Sequence, residues 1–82
     1  MAVMSIFLPE ISDVAEFVNI MARFPYEAQL HVGSYSVDAK SIMGIFTLDR
    51  EQPLQLELQT TNEEAFSKLS SGLSRFLANP VH

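Results

Sequence analysis

Val37-Asp38-Ala39-Lys40-Ser41-Ile42-Met43-Gly44-Ile45-Phe46-Thr47-Leu48-Asp49 is the least generic stretch of the chain, because it joins the end of a strand to a short apolar helix through one serine. Ser41 stands immediately before Ile42, Met43, Ile45 and Phe46, so its hydroxyl is placed to accept from the free backbone N–H groups of the helix that follows. A short core-facing helix buries about three apolar positions per two turns. Here four large ones fall within five residues. Ile45 and Leu48, three apart, are expected to form the buried stripe, which leaves Ile42, Met43 and Phe46 facing outward. An exposed methionine beside an isoleucine and a phenylalanine has the character of a docking patch. The competing reading is that the helix sits in a pocket and buries all of them.

Upstream of this stretch, Ala28, Leu30 and Val32 alternate with Glu27, Gln29 and His31, the pattern of a strand with one wet face. Gly33-Ser34 then reads as a two-residue hairpin turn, with glycine supplying a positive φ, and Tyr35 to Asp38 as the return strand. Farther back, Val14, Phe17, Val18, Met21 and Phe24 recur at helical spacing in a helix expected to have Ser12 as its N-cap and Asp13 in its first turn and to run to about Arg23, where Pro25 stops it. Ala2 to Leu8 reads as a strand ending at Pro9. Its two faces are both apolar, so it is expected to be covered on both sides or to meet another chain.

Downstream, the helix on Ser41 is expected to end near Leu48, with Asp49 to Pro53 as a polar connection and Asp49 as a cap or turn residue. Leu54, Leu56 and Leu58 alternate with Gln55, Glu57 and Gln59, the clearest strand in the chain. Thr61 with Glu64 has the form of a capping box, and Phe66, Leu69, Leu73, Phe76 and Leu77 follow at helical spacing up to Asn79-Pro80. The order is β-α-β-β-α-β-α, an α+β class in which helices pack on one face of an antiparallel sheet in two layers.

With 82 residues the chain is read as one domain spanning 1–82. It has no cysteine, so neither disulfides nor thiolate metal sites are available, and 48% hydrophobic residues must supply the stability through burial. A net charge of −5 with only five scattered Lys and Arg argues against nucleic acid as a partner. The longest early apolar run, Ile6-Phe7-Leu8, is far short of a leader or a membrane span, so a soluble cytoplasmic protein is expected. No Ser-His-Asp set, glycine-rich phosphate loop or metal-ligand spacing occurs. No enzyme activity, cofactor or metal is therefore expected.

The run from Val37 through Lys40-Ser41-Ile42-Met43-Gly44 to Ile45 resembles the most specific internal motif of HPr, the small phosphocarrier of the bacterial sugar phosphotransferase system, and the element order fits that family across nearly the whole chain. The resemblance implies an HPr-like open-faced sandwich with strand order 1-4-2-3. It also implies a phosphoryl-carrying histidine just before the first helix, where free N–H groups favour phosphate. Counting back without gaps from Lys40-Ser41 puts Glu10, Ile11 and Ser12 where the family has His-Ala-Arg, and no histidine or arginine occurs between Met1 and Ala22. Glu10 marks the position of the lost carrier, and as a solvated acid it is a far poorer nucleophile than an imidazole. His31, on the wet phase of its strand, and the terminal His82, expected to be disordered, do not replace it.

In Gram-positive relatives the serine matching Ser41 is the target of an ATP-dependent kinase, and the modified protein acts as a corepressor. The bland role of Ser41 is a helix cap worth about 1 kcal/mol. The expectation is thus a regulatory or protein-binding module without histidine phosphotransfer, switched by phosphorylation of Ser41. Lys40, Ile42, Met43 and Phe46 form its partner-binding surface, and HPr serine kinase or a transcriptional regulator is the partner. A monomer or weak homo-oligomer is expected. The alternatives are a phosphocarrier using a residue other than histidine and a structural or oligomeric module making contact through the first strand.

Overall fold

Leu54, Leu56 and Leu58 hold the middle of the sheet, and all three are fully buried. Their strand, β4 (Leu54–Leu58), lies between β1 (Ala2–Ile6) and β2 (Ala28–Val32), with β3 (Tyr35–Asp38) at the far edge, in the order β1-β4-β2-β3. Every pairing is antiparallel, with Met4 and Leu30 both opposite Leu56. The chain therefore runs β1 and β2 in the same direction with one strand between them, and α1 (Ile11–Met21) makes the crossover that such a split pair requires. α2 (Ile42–Phe46) and α3 (Glu63–Gly72) complete the element order, followed by a 3-10 turn at Ser74–Phe76. The computed structural model describes residues 2–78, so Asn79-Pro80 and His82 lie outside the described residues.

The core is built where periodicity placed it. Val14, Phe17 and Met21 of α1, Leu69 of α3 and Leu73 just beyond it close over Ile6, Leu30 and the β4 leucines, all fully buried. The other sheet face is open and carries Ser5, Gln29, His31, Ser36, Gln55 and Glu57. β1 is thus covered on one side only among the described residues: Met4 and Ile6 face the core, while Val3 is 54% exposed on the open face. The expectation that both its faces would be covered fails for this reason.

Several boundaries differ from the sequence reading. α1 starts one residue before Ser12, with Glu10 at its N-cap, and the Asp13 carboxylate accepts from the Glu10 N–H at 3.1 Å. Asn62, rather than Thr61, caps α3, its Oδ1 accepting from the N–H groups of Glu64 at 2.9 Å and Ala65 at 3.3 Å. α3 stops at Gly72 because the following residues leave the helix to pair with β1. Phe7 N–H donates to the Phe76 carbonyl at 2.8 Å and Ala78 N–H to the Ser5 carbonyl at 3.0 Å. The β2–β3 hairpin turns through Gly33 at φ +59°, as a two-residue loop requires.

Candidate functional site

β3 is delivered into α2 by a tight turn. Asp38 accepts from the Lys40 N–H through its carboxylate at 2.9 Å and from the Ser41 N–H through its carbonyl at 3.0 Å. This leaves Ser41 in an extended conformation (φ −103°, ψ 104°), with its Oγ accepting from the Gly44 N–H at 3.1 Å. A Cβ on Gly44 would lie 3.1 Å from that Oγ and 3.3 Å from the Val37 Cβ. Only glycine lets the first turn of α2 sit this close to β3 without displacement.

Five residues of helix then divide their side chains as the spacing predicts. Ile45 is fully buried and Leu48, just past the helix, is 8% exposed, whereas Met43 is 71% and Ile42 37% exposed. Phe46 is half-buried, packed at the margin of the core. α2 ends at Phe46, and Leu48 reaches the core from the connection behind it.

Lys40, just before the helix, is half-buried. Its Nζ donates to the Phe24 carbonyl at 2.6 Å, beyond the end of α1, a helix with no basic residue in its own last turn. At the other end of α2, Arg50 makes a second strap that the sequence reading missed. Its Nη1 lies 3.2 Å from the carbonyls of both Leu8 and Pro9, and its guanidinium stands 5.5 Å from the Phe46 ring centroid. α2 is therefore tied at its start to the end of α1 and near its end to the turn that begins α1. This brings the first residue of α1, the exposed Ile11, to the end of the molecule where Phe46 lies.

At the start of α1, Glu10 is exposed and takes part in no ion pair among the described residues. A cation does come near, from a position far along the chain to which no spacing in the sequence points. Arg75 reaches Glu16 at 2.5 Å and Asp13 at 3.3 Å and lies 4.2 Å from the Phe76 ring. The hydrogen bond from Arg75 holds the Glu16 carboxyl below the usual range, and the same bond raises Arg75. Arg75 is thus committed to the flank of α1. His31, on the open face, has its Nε2 2.8 Å from Glu57 Oε1 across the β2–β4 pair, so it is a bonded sheet residue rather than a free imidazole. Asp49 is a turn residue, accepting from the Glu51 N–H at 3.1 Å and the Gln52 Nε2 at 3.0 Å. Among the described residues no group of His, Asp and Glu could hold a metal, and no helix is long and apolar enough to cross a membrane.

A family model described as the PTS HPr component phosphorylation site matches residues 12–78. No curated protein matches the chain. Among solved structures it is similar to HPr-C-His from Thermoanaerobacter tengcongensis, at 21% identity and TM-score 0.72, with 99% of this chain and 100% of that one covered. It is similar also to the phosphocarrier protein HPr of Bacillus anthracis, at 23% identity and TM-score 0.65, with 88% and 93% covered. These two likenesses show the fold. The catabolite repression containing protein Crh of Bacillus subtilis is similar at 26% identity and TM-score 0.64, with 93% and 90% covered, and its crystal structure is described as a dimer with a swapped domain.

Proposed function

The chain belongs to the HPr family, and on that premise we propose that it is a regulatory, protein-binding member rather than a histidine phosphocarrier or an enzyme. Its docking surface is the outer face of α2, with Ile42, Met43 and Phe46 as apolar anchors. The supporting observation is that Met43 is 71% exposed on a helix whose Ile45 is fully buried. A flexible thioether and an aromatic edge on one short turn suit a protein contact. Lys40 serves this surface indirectly, by fixing the position of α2 through Phe24. Glu10 stands at the N-cap of α1, where the family's carrier histidine is expected, and no histidine precedes His31 in the sequence.

Ser41 is the switch. Its hydroxyl sits at the rim of the same patch, and a phosphate there would find the N–H groups at the start of α2 that have no intrahelical partner. α2 has only five residues, so its dipole contributes little and local N–H groups carry the effect. Its kinase is an HPr-type serine kinase and its partner a transcriptional regulator, both in the cytoplasm.

The test is to incubate the purified protein with HPr serine kinase and ATP and to read the intact mass, with Ser41→Ala as control. One added phosphate that vanishes in the variant supports the switch, and no added mass reduces Ser41 to a cap. Met43→Asp should abolish partner binding with its melting temperature unchanged, whereas an unfolded variant would make Met43 a core residue. A second reading, contact between copies through β1, is favoured by the exposed Val3 and by an outer edge that, among the described residues, is paired only near Ser5 and Phe7. Light scattering that gives a monomer mass across a wide concentration range would exclude it.

A further inference from the structure

The tip of the β2–β3 hairpin and the connection after α2 enclose an open cleft of about 600 Å3, with Val32, Tyr35, Leu48, Asp49 and Gln52 on its walls. Its lining is mixed, with the half-buried Val32 and the nearly buried Leu48 contributing apolar atoms beside Ser34, Thr47 and Gln52. Tyr35 stands 71% exposed at its edge. Asp49 is the one charged side chain on the cleft walls among the described residues. Its two oxygens are oriented by the Glu51 N–H and the Gln52 amide, yet it meets no cation: the ion pairs among the described residues are His31–Glu57, Lys68–Glu64, Arg75–Asp13 and Arg75–Glu16.

An oriented, unpaired carboxylate, an exposed ring and the apolar atoms of Val32 and Leu48 in one cleft complement a group that is cationic, flat and carried on an aliphatic stem. We infer that this cleft takes an arginine side chain of a partner protein. The guanidinium lies on the face of Tyr35 and donates to Asp49, and its methylenes cover Val32 and Leu48. Lysine would satisfy the charge without the planar stacking or the fork. No lysine or arginine of this chain lines the cleft, and a net charge of −5 attracts a basic segment from a distance. Thr47 and Leu48 line the cleft directly after Phe46, so the site continues the apolar face of α2. One partner segment carrying apolar residues beside an arginine reaches both. That the arginine belongs to a protein docked on α2 rests on the function proposed above; the preference of the cleft for a guanidinium does not.

The experiment is an NMR titration of the 15N-labelled protein with N-acetyl-arginine amide and, in parallel, with the neutral isostere N-acetyl-citrulline amide. Arginine should shift the amides of Tyr35, Thr47, Leu48 and Gln52, saturating in the range of roughly tens of millimolar expected of one exposed cation–π contact, one exposed ion pair and partial cover of the stem. Citrulline should bind several-fold more weakly. Tyr35→Ser and Asp49→Asn should each weaken arginine binding roughly three- to fivefold, while Tyr35→Phe, which keeps the ring, and Met43→Asp should leave it unchanged. Shifts equally strong around Glu10, Glu63 and Glu64, or binding that survives both cleft variants, would overturn the proposal, since arginine would then only be screening an acidic surface. Absence of any saturable shift would overturn it as well. Arginine binding in the cleft together with partner binding that survives Met43→Asp would instead remove the function assigned to α2 and leave the cleft standing.

Discussion

Replacing Ser41 by alanine should lower the melting temperature by several degrees, and replacing it by aspartate should not. The Ser41 Oγ is the acceptor for the Gly44 N–H, at 3.1 Å in a partly buried position. Alanine leaves that donor without a partner, and loss of a serine cap costs about 1 kcal/mol in typical cases. Two features push the cost toward or above that value: α2 has only five residues to share it, and water has limited access to the freed N–H. For a domain of this size about 1 kcal/mol corresponds to roughly 4–8 °C. Aspartate is as good a cap as serine, and its charge faces the free N–H groups of the first turn, although Asp38, held two residues away by the Lys40 N–H, subtracts part of that gain. Circular-dichroism melts at neutral pH and fixed salt measure all three proteins. An unchanged melting temperature for Ser41→Ala, or a loss in Ser41→Asp as large as that in Ser41→Ala, would refute the assignment of Ser41 as the cap that holds α2. The comparison also matters for function. If aspartate keeps the fold, any change it makes in partner binding reports charge at the patch and not damage to α2.

Three further outcomes follow from the same packing. Ile45→Ala, which empties a fully buried position, should cost about 2–5 kcal/mol in denaturant unfolding, the opposite of the silent Met43→Asp two residues away. Gly72→Ala should raise stability by roughly 0.5–1 kcal/mol, because Gly72 is the last residue of α3, has no positive φ, and a Cβ there would meet Ile20 Cγ2 at an ordinary contact distance of 3.6 Å. Glu16→Gln should lower the melting temperature at neutral pH and not in acid. The Arg75 hydrogen bond depresses the Glu16 pKa in the folded state, so its contribution is present above the ordinary glutamate range and disappears as pH falls through the lowered value. A difference between Glu16→Gln and the parent that persists in strong acid would contradict that origin.

The parts of the fold that were legible in the sequence are those fixed by neighbouring residues. The alternation of Leu54, Leu56 and Leu58 set a strand, and the separation of Ile45 and Leu48 from Met43 set two faces of one turn. Both depend on spacings of two to four residues that the backbone itself imposes. Ser41 was legible as a cap because it directly precedes the apolar run and the two residues before it, Ala39 and Lys40, have no side-chain acceptor. At α1 and α3 several cap-forming residues stand in a row, Glu10, Ser12 and Asp13 in one case and Thr60, Thr61 and Asn62 in the other. The choice among them falls to the strand before the helix and the core it must reach, neither of which is local.

The straps that fix α2 were illegible for a different reason. Lys40 and Arg50 end on the carbonyls of Phe24, Leu8 and Pro9, and every residue of the chain has a carbonyl, so the acceptor leaves no mark in the sequence. The donors, Lys40 and Arg50, have in the sequence the look of ordinary surface charges. The end of α3 shows the same blindness: Leu73, Phe76 and Leu77 keep helical spacing past Gly72, yet Phe76 and Ala78 give their backbone groups to β1 instead. For the candidate site the consequence is specific. Of the bases close to α2 in sequence, Lys40 and Arg50 are spent on backbone carbonyls, while Asp38 and Asp49, which flank the helix, are exposed and unpaired with any cation among the described residues. The face that α2 offers is therefore apolar with an acidic border, a character decided by two long-range side-chain straps. Releasing either strap, by Lys40→Met or Arg50→Met, would loosen the helix that carries the patch rather than alter the patch itself.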